Sequence, residues 1–216
     1  METITEIREI LRLPAPGLEP LGLAFDGNLL WIACRESHRL YAVDPATWSV
    51  RDEVKTPGAP FGLTVVGEEL RVVVGLGNDD DDRYIYRFIP GHGFKSDRTA
   101  CPDLSGAHLA FDGDTLFLSQ AHNMKILALD DQGAVTRTMP LNRVPVGMFV
   151  IDGCFNIIAC DPDFRNPQLT KVDARGETLE VTALASIPFG ARGLAFDGSR
   201  YWTNDRRKNE IVSFSV

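Results

Sequence analysis

His108, His122, Glu36, Asp161, Asp205, Gln120 and Arg192 are polar side chains that break an otherwise repetitive, largely apolar sequence. Their types suit three kinds of chemistry. Imidazoles and carboxylates exchange protons or ligate a divalent cation. A guanidinium grips a carboxylate through two parallel N–H bonds. An amide such as Gln120 both donates and accepts hydrogen bonds. No short motif joins these residues, which are scattered between positions 36 and 205. A site forms only if the fold gathers them, so the elements that carry them come first.

Those elements repeat. Gly22-Leu-Ala-Phe-Asp-Gly27 returns as Gly193-Leu-Ala-Phe-Asp-Gly198, with a close copy at His108-Leu-Ala-Phe-Asp-Gly113. Weaker copies are Gly62-Leu-Thr-Val-Val-Gly67 and Gly147-Met-Phe-Val-Ile-Asp-Gly153. The starts at 22, 62, 108, 147 and 193 lie 40, 46, 39 and 46 residues apart, the length of a four-stranded propeller blade. In each copy an apolar run ends at a Gly turn, and a second apolar run follows (Leu29–Cys34 in the first). A polar connection then leads to a third run (Arg39–Asp44) and a more polar fourth. These are hairpin signals throughout. The fifth copy lacks a fourth run, while residues 4–13 alternate like a half-buried strand and belong to no copy. The sequence therefore predicts an all-β, single-domain chain: a five-bladed β-propeller of four-stranded antiparallel blades over residues 1–216. Its N-terminal strand completes the last blade and removes a free edge. No residues remain for a sixth blade.

The Gly-Leu-Ala-Phe-Asp-Gly…Leu-Trp…Leu-Tyr-Ala-Val-Asp pattern resembles the broad propeller group of NHL-repeat, YncE-like, gluconolactonase/SMP-30, streptogramin-lyase and glutamine cyclotransferase proteins. The resemblance covers nearly the whole chain, and the count of five blades resembles the glutamine cyclotransferases most. It implies a small-molecule enzyme of hydrolase, lyase or cyclotransferase type. Gluconolactonase-type enzymes place metal ligands after strand b, and Asp205 and Asp161 resemble that position. The Asn or Glu that they place before the inner strand is absent from all five copies.

With strands named a to d from the channel outward, the d–a and b–c connections share one face of the ring. The b–c connections are the longer ones, above all Gly75–Arg83 and Asp161–Gln168. Binding residues concentrate on loops held by a rigid scaffold, so the site is expected at the channel mouth on this face. Departures from the repeat point the same way. His108 replaces the strand-a glycine in the third copy. Arg192 stands where the other copies carry Leu21, Phe61, Ala107 and Val146. Equal offsets from the a–b turn align Cys34, Val74, Gln120, Cys160 and Asp205, and two places on lie Glu36, His122 and Arg207.

The resulting assignment gives His108, His122, Glu36 and Asp205 to catalysis, and Arg192, Gln120 and Asp161 to substrate binding. A divalent cation would draw on His108, His122, Glu36, Asp161 and Asp205. The acidic run Asp79–Asp82 is a solvated loop tip without the spacing of a calcium loop. Cys34, near Arg35 and Arg39, is either a buried packing residue or an activated thiol. The alternative to an enzyme is a non-catalytic propeller that binds a ligand or protein through the same face.

Composition limits the partners. The chain of 216 residues carries 22 Lys+Arg against 30 Asp+Glu, a formal net charge of −8. That balance argues against nucleic acid and anionic membranes, which select basic patches. No apolar stretch approaches the roughly 18 residues of a membrane span. The first ten residues lack the basic-then-apolar pattern of a signal peptide, and four cysteines make no disulfide scaffold. A small-molecule ligand and a cytoplasmic setting are the expectation.

Overall fold

The computed structural model describes residues 4–77, 80–176 and 178–216. Among these residues twenty strands form five separate four-stranded antiparallel sheets. Blade 1 runs Pro20–Phe25, Leu30–Cys34, Arg39–Asp44 and Ser49–Lys55. The inner strands of blades 2 to 5 are Ala59–Val66, Leu109–Phe111, Val144–Ile151 and Ala195–Phe196. In blade 5 the outer position is filled by Arg8–Pro14, which pairs antiparallel with Glu210–Ser215. The chain is the five-bladed propeller that the repeats predict.

The repeated phrase has a specific local job. Its Asp organises the a–b hairpin: Asp26 Oδ1 accepts the amides of Asn28 (2.9 Å) and Leu29 (2.7 Å). Its Oδ2 accepts the indole N–H of Trp31 at 2.7 Å. Asp197 repeats both contacts, taking the amides of Ser199 and Arg200 and the Trp202 indole at 2.8 Å. The following glycine adopts a left-handed φ of +97° at Gly27 and +93° at Gly198, where a side chain would be strained.

Alternation along each strand explains why the apolar runs are continuous. Leu30, Ile32 and Cys34 face blade 5, packing with Ala195, Trp202 and Ile211. Trp31 and Ala33 face blade 2, with Leu63, Val72 and Phe88. Successive side chains point to opposite faces, and both faces are covered by a neighbouring blade. The five apolar clusters are thus the five blade interfaces.

The N-terminal segment does more than complete blade 5. At residues 5–7 it leaves that blade and bonds to blade 4, with Ile7 N donating to Ser186 O at 3.0 Å and Ser186 N to Thr5 O at 2.9 Å. Arg12 holds the closing strand. Its Nη1 lies 3.0 Å from Asp205 Oδ2 and 2.8 Å from Glu210 Oε2, and its Nη2 2.6 Å from Glu9. The Glu9 carboxylate, ahead of Glu210 and Asp205, holds the guanidinium pKa above its usual value.

Replacing Arg12 with Met leaves the buried Asp205 carboxylate without its cation. Breaking a partly buried pair by removing one partner is expected to cost about 2 kcal/mol here, discounted from fully buried cases because Arg12 is a quarter exposed. Urea unfolding of Arg12→Met, Asp205→Asn and the double variant should show the double losing less than the two singles combined. Additive losses would mean the pair does not couple.

Candidate functional site

The inner strands come together so closely that four of the five corners have no room for a Cβ. At Gly22 it would lie 2.2 Å from Phe61 O, and at Gly62 2.3 Å from the His108 Cα. At Gly147 it would meet Arg192 O at 2.8 Å, and at Gly193 Leu21 O at 2.3 Å. The fifth corner is His108, for which the bare Gly62 leaves space. A cavity of about 560 Å³ opens directly over this ring, within the size range of small-molecule sites. Glu19, Leu21, Phe61, His108, Val146 and Arg192 line it from the approaches to the inner strands, Arg35, His122, Phe164 and Arg206 from the b–c connections, and Arg83 from the third strand of blade 2. It lies on the d–a/b–c face. A second depression of about 510 Å³ shares Glu19, Phe164, Arg192 and Arg206 and adds Glu36 and Arg207.

Arg192 is placed by a local departure from the repeat. The buried Asn204 side chain accepts the backbone amides of Arg192 (2.7 Å) and Gly193 (3.3 Å). Its Nδ2 donates to Pro20 O across the blade 5–blade 1 seam. Thr203 Oγ1 donates to Gly193 O at 2.6 Å. Side chains thereby replace ladder pairing, and the strand shrinks to Ala195–Phe196. The guanidinium lies 4.6 Å over the Phe164 ring. Its Nη1 is buried without a hydrogen-bond partner, and no carboxylate pairs with it among the described residues. Burial, and secondarily Arg206, lowers its pKa from the usual value.

The other cavity arginines are engaged. Arg206 pairs with Glu19, which also lies 3.5 Å from Arg35, and Arg35 reaches Asp80 at 3.0 Å. Arg83 donates from Nε to Asp80 O and from Nη1 to Gly106 O at 3.1 Å, with its Cζ 3.5 Å from the Phe61 ring centroid. Four arginines thus meet at one mouth of a chain whose net charge is −8.

Phe164 is held there by its loop. Asp161 Oδ1 accepts the Arg165 amide at 2.7 Å and Oδ2 the Asn166 Nδ2 at 2.9 Å. Those bonds, the Arg165 amide first, lower the Asp161 pKa. Phe164 takes a left-handed φ of +60°, a conformation that costs a bulky residue on the order of 1 kcal/mol. Its ring meets His122 edge-on at 5.2 Å as well as Arg192.

The predicted residues divide accordingly. His108, His122 and Arg192 share the main cavity. Glu36 is exposed in the adjoining one. Asp205 is buried on the closing-strand side, bound to Arg12. Gln120 is fully buried and clamps the short turn Pro102–Leu104, donating to Pro102 O (2.7 Å) and Ser105 O (2.9 Å). Asp161 builds the Phe164 loop. Among the described residues no three His, Cys, Asp or Glu side chains group as a metal site, so the donor set proposed for a cation does not come together. Of the acidic run, Asp79 lies outside the described residues, Asp80 binds Arg35 and Asp81 lines the cavity. Cys34 is fully buried, and burial pushes its thiol up to about 12. It is a packing residue rather than an activated thiol.

Arg35 and Arg206 were the residues that sequence reasoning passed over. They occupy equivalent positions, one place beyond Cys34 and Asp205, a column that also holds Ala121 and Asp161. Glu19, Arg83 and Phe61 carry no repeat signal of their own.

No protein-family model and no curated protein matches the sequence. Solved structures share the fold. Glutaminyl cyclase from Myxococcus xanthus superposes with a TM-score of 0.72 at 14% identity, covering 99% of this chain and 98% of that one. The PQQ-bound aldose sugar dehydrogenase of Streptomyces coelicolor gives 0.66 at 13%, covering 97% of each chain. Regucalcin from Agrobacterium tumefaciens, a calcium-binding protein, gives 0.63 at 12%, covering 100% and 96%. The chain is a five-bladed β-propeller with these among its structural neighbours. At such identities the likeness establishes architecture.

His108 supplies a pH test. Burial, and secondarily Arg192, depresses its pKa from 6.5 to about 3. The unfolded chain therefore binds this proton between those values and the folded chain does not. Stability is full above about pH 6.5 and falls as pH drops toward 3. Unfolding free energies at pH 7 and 5 should differ by about 2 kcal/mol more in the wild type than in His108→Gln. Equal differences would place the imidazole in a polar setting instead.

Proposed function

We propose that the channel mouth is a small-molecule site that binds an organic anion, with Arg192 as the group that receives it. One observation carries this reading. A partly buried guanidinium faces the cavity with no hydrogen bond or ion pair of its own among the described residues. Burying a charge without a partner is costly, and an anion in the cavity would offset that cost. Contact with the Phe164 ring holds the Arg192 guanidinium at the cavity wall. Leu21, Phe61 and Val146 offer apolar contact to the rest of the ligand.

A second reading makes the site catalytic, acting on the bound molecule as a hydrolase, lyase or cyclotransferase. It is favoured by the two imidazoles in one cavity. His108 is neutral throughout the physiological range and suits hydrogen bonding to a substrate, which leaves proton transfer to the exposed His122. Two structural neighbours are named as enzymes, a glutaminyl cyclase and an aldose sugar dehydrogenase. Propellers carry many activities, so this support is by analogy. The four free, buried cysteines fit a reducing, cytoplasmic setting.

Calorimetry with a panel of carboxylates, lactones, esters and N-terminal glutamine peptides tests both readings. Arg192→Gln should weaken binding of any carboxylate hit by about 10- to 100-fold, the worth of a charge-assisted hydrogen bond. Unchanged affinity would remove Arg192 from the site. Turnover lost in His122→Asn with binding retained would establish the catalytic reading, and hits that bind without turnover would leave a binding propeller.

A further inference from the structure

Two of the cavity's four arginines have their charge balanced by carboxylates within ion-pair distance. Arg206 pairs with Glu19, and Arg35 with Glu19 and Asp80. The other two do not. Arg192 has no polar partner for its guanidinium, and Arg83 bonds only to the backbone carbonyls of Asp80 and Gly106 among the described residues. Asp81 also lines the cavity but lies outside ion-pair distance of either. Carbonyl oxygens orient a guanidinium without neutralising it. Burial lowers the pKa of both groups, as for charges short of compensation.

The two groups come from opposite parts of the ring. Arg83 is the second residue of the third strand of blade 2, Asp82–Ile89, and Arg192 precedes the inner strand of blade 5. These blades are not neighbours. Each guanidinium lies against a phenyl ring, the Arg83 Cζ 3.5 Å from the Phe61 ring centroid and the Arg192 Cζ 4.6 Å from that of Phe164. The ring contacts, and for Arg83 the two carbonyl bonds, hold the groups in place, which cuts the ordering cost of binding. Between them the ring of inner strands supplies His108, Leu21 and Val146.

We infer that the site takes a dianion: a small dicarboxylate with an apolar linker, one carboxylate on Arg192 and the other on Arg83. This inference rests on the anion-binding reading and names its ligand class. A monoanion would neutralise one guanidinium and leave the other. A dicarboxylate neutralises both, and its linker lies along the apolar wall.

The test compares unbranched dicarboxylates from succinate to adipate with their monoamides, which keep length and polarity but lose one charge. Titration calorimetry of the wild type should show the best dicarboxylate binding at least about tenfold tighter than its monoamide. Arg83→Gln should weaken the dicarboxylate far more than the monoamide and so erase that preference. Arg192→Gln should weaken both. Arg83→Lys, which keeps the charge, should retain a preference for the dicarboxylate and guards against a folding defect in the Gln variant. Equal binding of dicarboxylate and monoamide by the wild type overturns the inference and leaves the anion site standing. A preference that survives in Arg83→Gln also overturns it. Failure of every acid and every monoamide to bind overturns both readings.

Discussion

The close approach of five inner strands around a narrow channel is the constraint on which the rest of the molecule depends. Four corners of that ring are glycine because a Cβ there would fall within 2.8 Å of a neighbouring strand's backbone. Gly62 N donates to Ala107 O at 2.8 Å, so adjoining blades bond directly at this level. With the centre that tight, every blade is pressed between two others, and both faces of its strands become apolar. The same geometry requires the ring to close, which the N-terminal strand and the Arg12 ion pairs accomplish on the outside. The substitution of histidine at the fifth corner works because Gly62 leaves room beside it.

The ring also decides what lies above it. The glycine corners and His108 floor the channel mouth, and the connections there carry an unusual set of side chains. Arginines gather there although the chain as a whole is acidic. Glu19 balances two of them and also fastens blade 1 to blade 5, since Arg206 and Asn209 both reach it. Its carboxylate therefore serves closure and electrostatics together. Phe164 accepts a strained backbone to lie against Arg192 and His122. Strain of this kind persists where surrounding contacts over-determine it, and here Asp161 supplies them.

The architecture was legible in the sequence because it is written five times. Gly-Leu-Ala-Phe-Asp-Gly encodes a close approach, two buried faces, an Asp-organised turn and a left-handed glycine, and each copy reinforces the others. Deviations from the repeat located His108 and Arg192 at the mouth for the same reason. The roles of Asp205, Gln120 and Asp161 were not legible. Each sits where a ligand-binding residue could sit, yet its oxygens or amide are taken by Arg12, by two carbonyls and by a loop amide, partners remote in sequence or hidden in a turn. Arg83 was not singled out because it lies within the third strand of blade 2, Asp82–Ile89, and marks no departure from the repeat. The closing strand was anticipated, but its continuation onto blade 4 depends on Ile7 finding the blade 4–blade 5 interface.

The central claim is that an anion occupies the mouth against Arg192. Anomalous diffraction from crystals soaked in a short brominated carboxylate tests it most directly. A bromine peak is expected inside the channel-mouth cavity, with carboxylate density in hydrogen-bonding contact with the Arg192 guanidinium. Bromine peaks confined to exposed arginines and lysines on the outer strands, with that cavity holding only water, would contradict it.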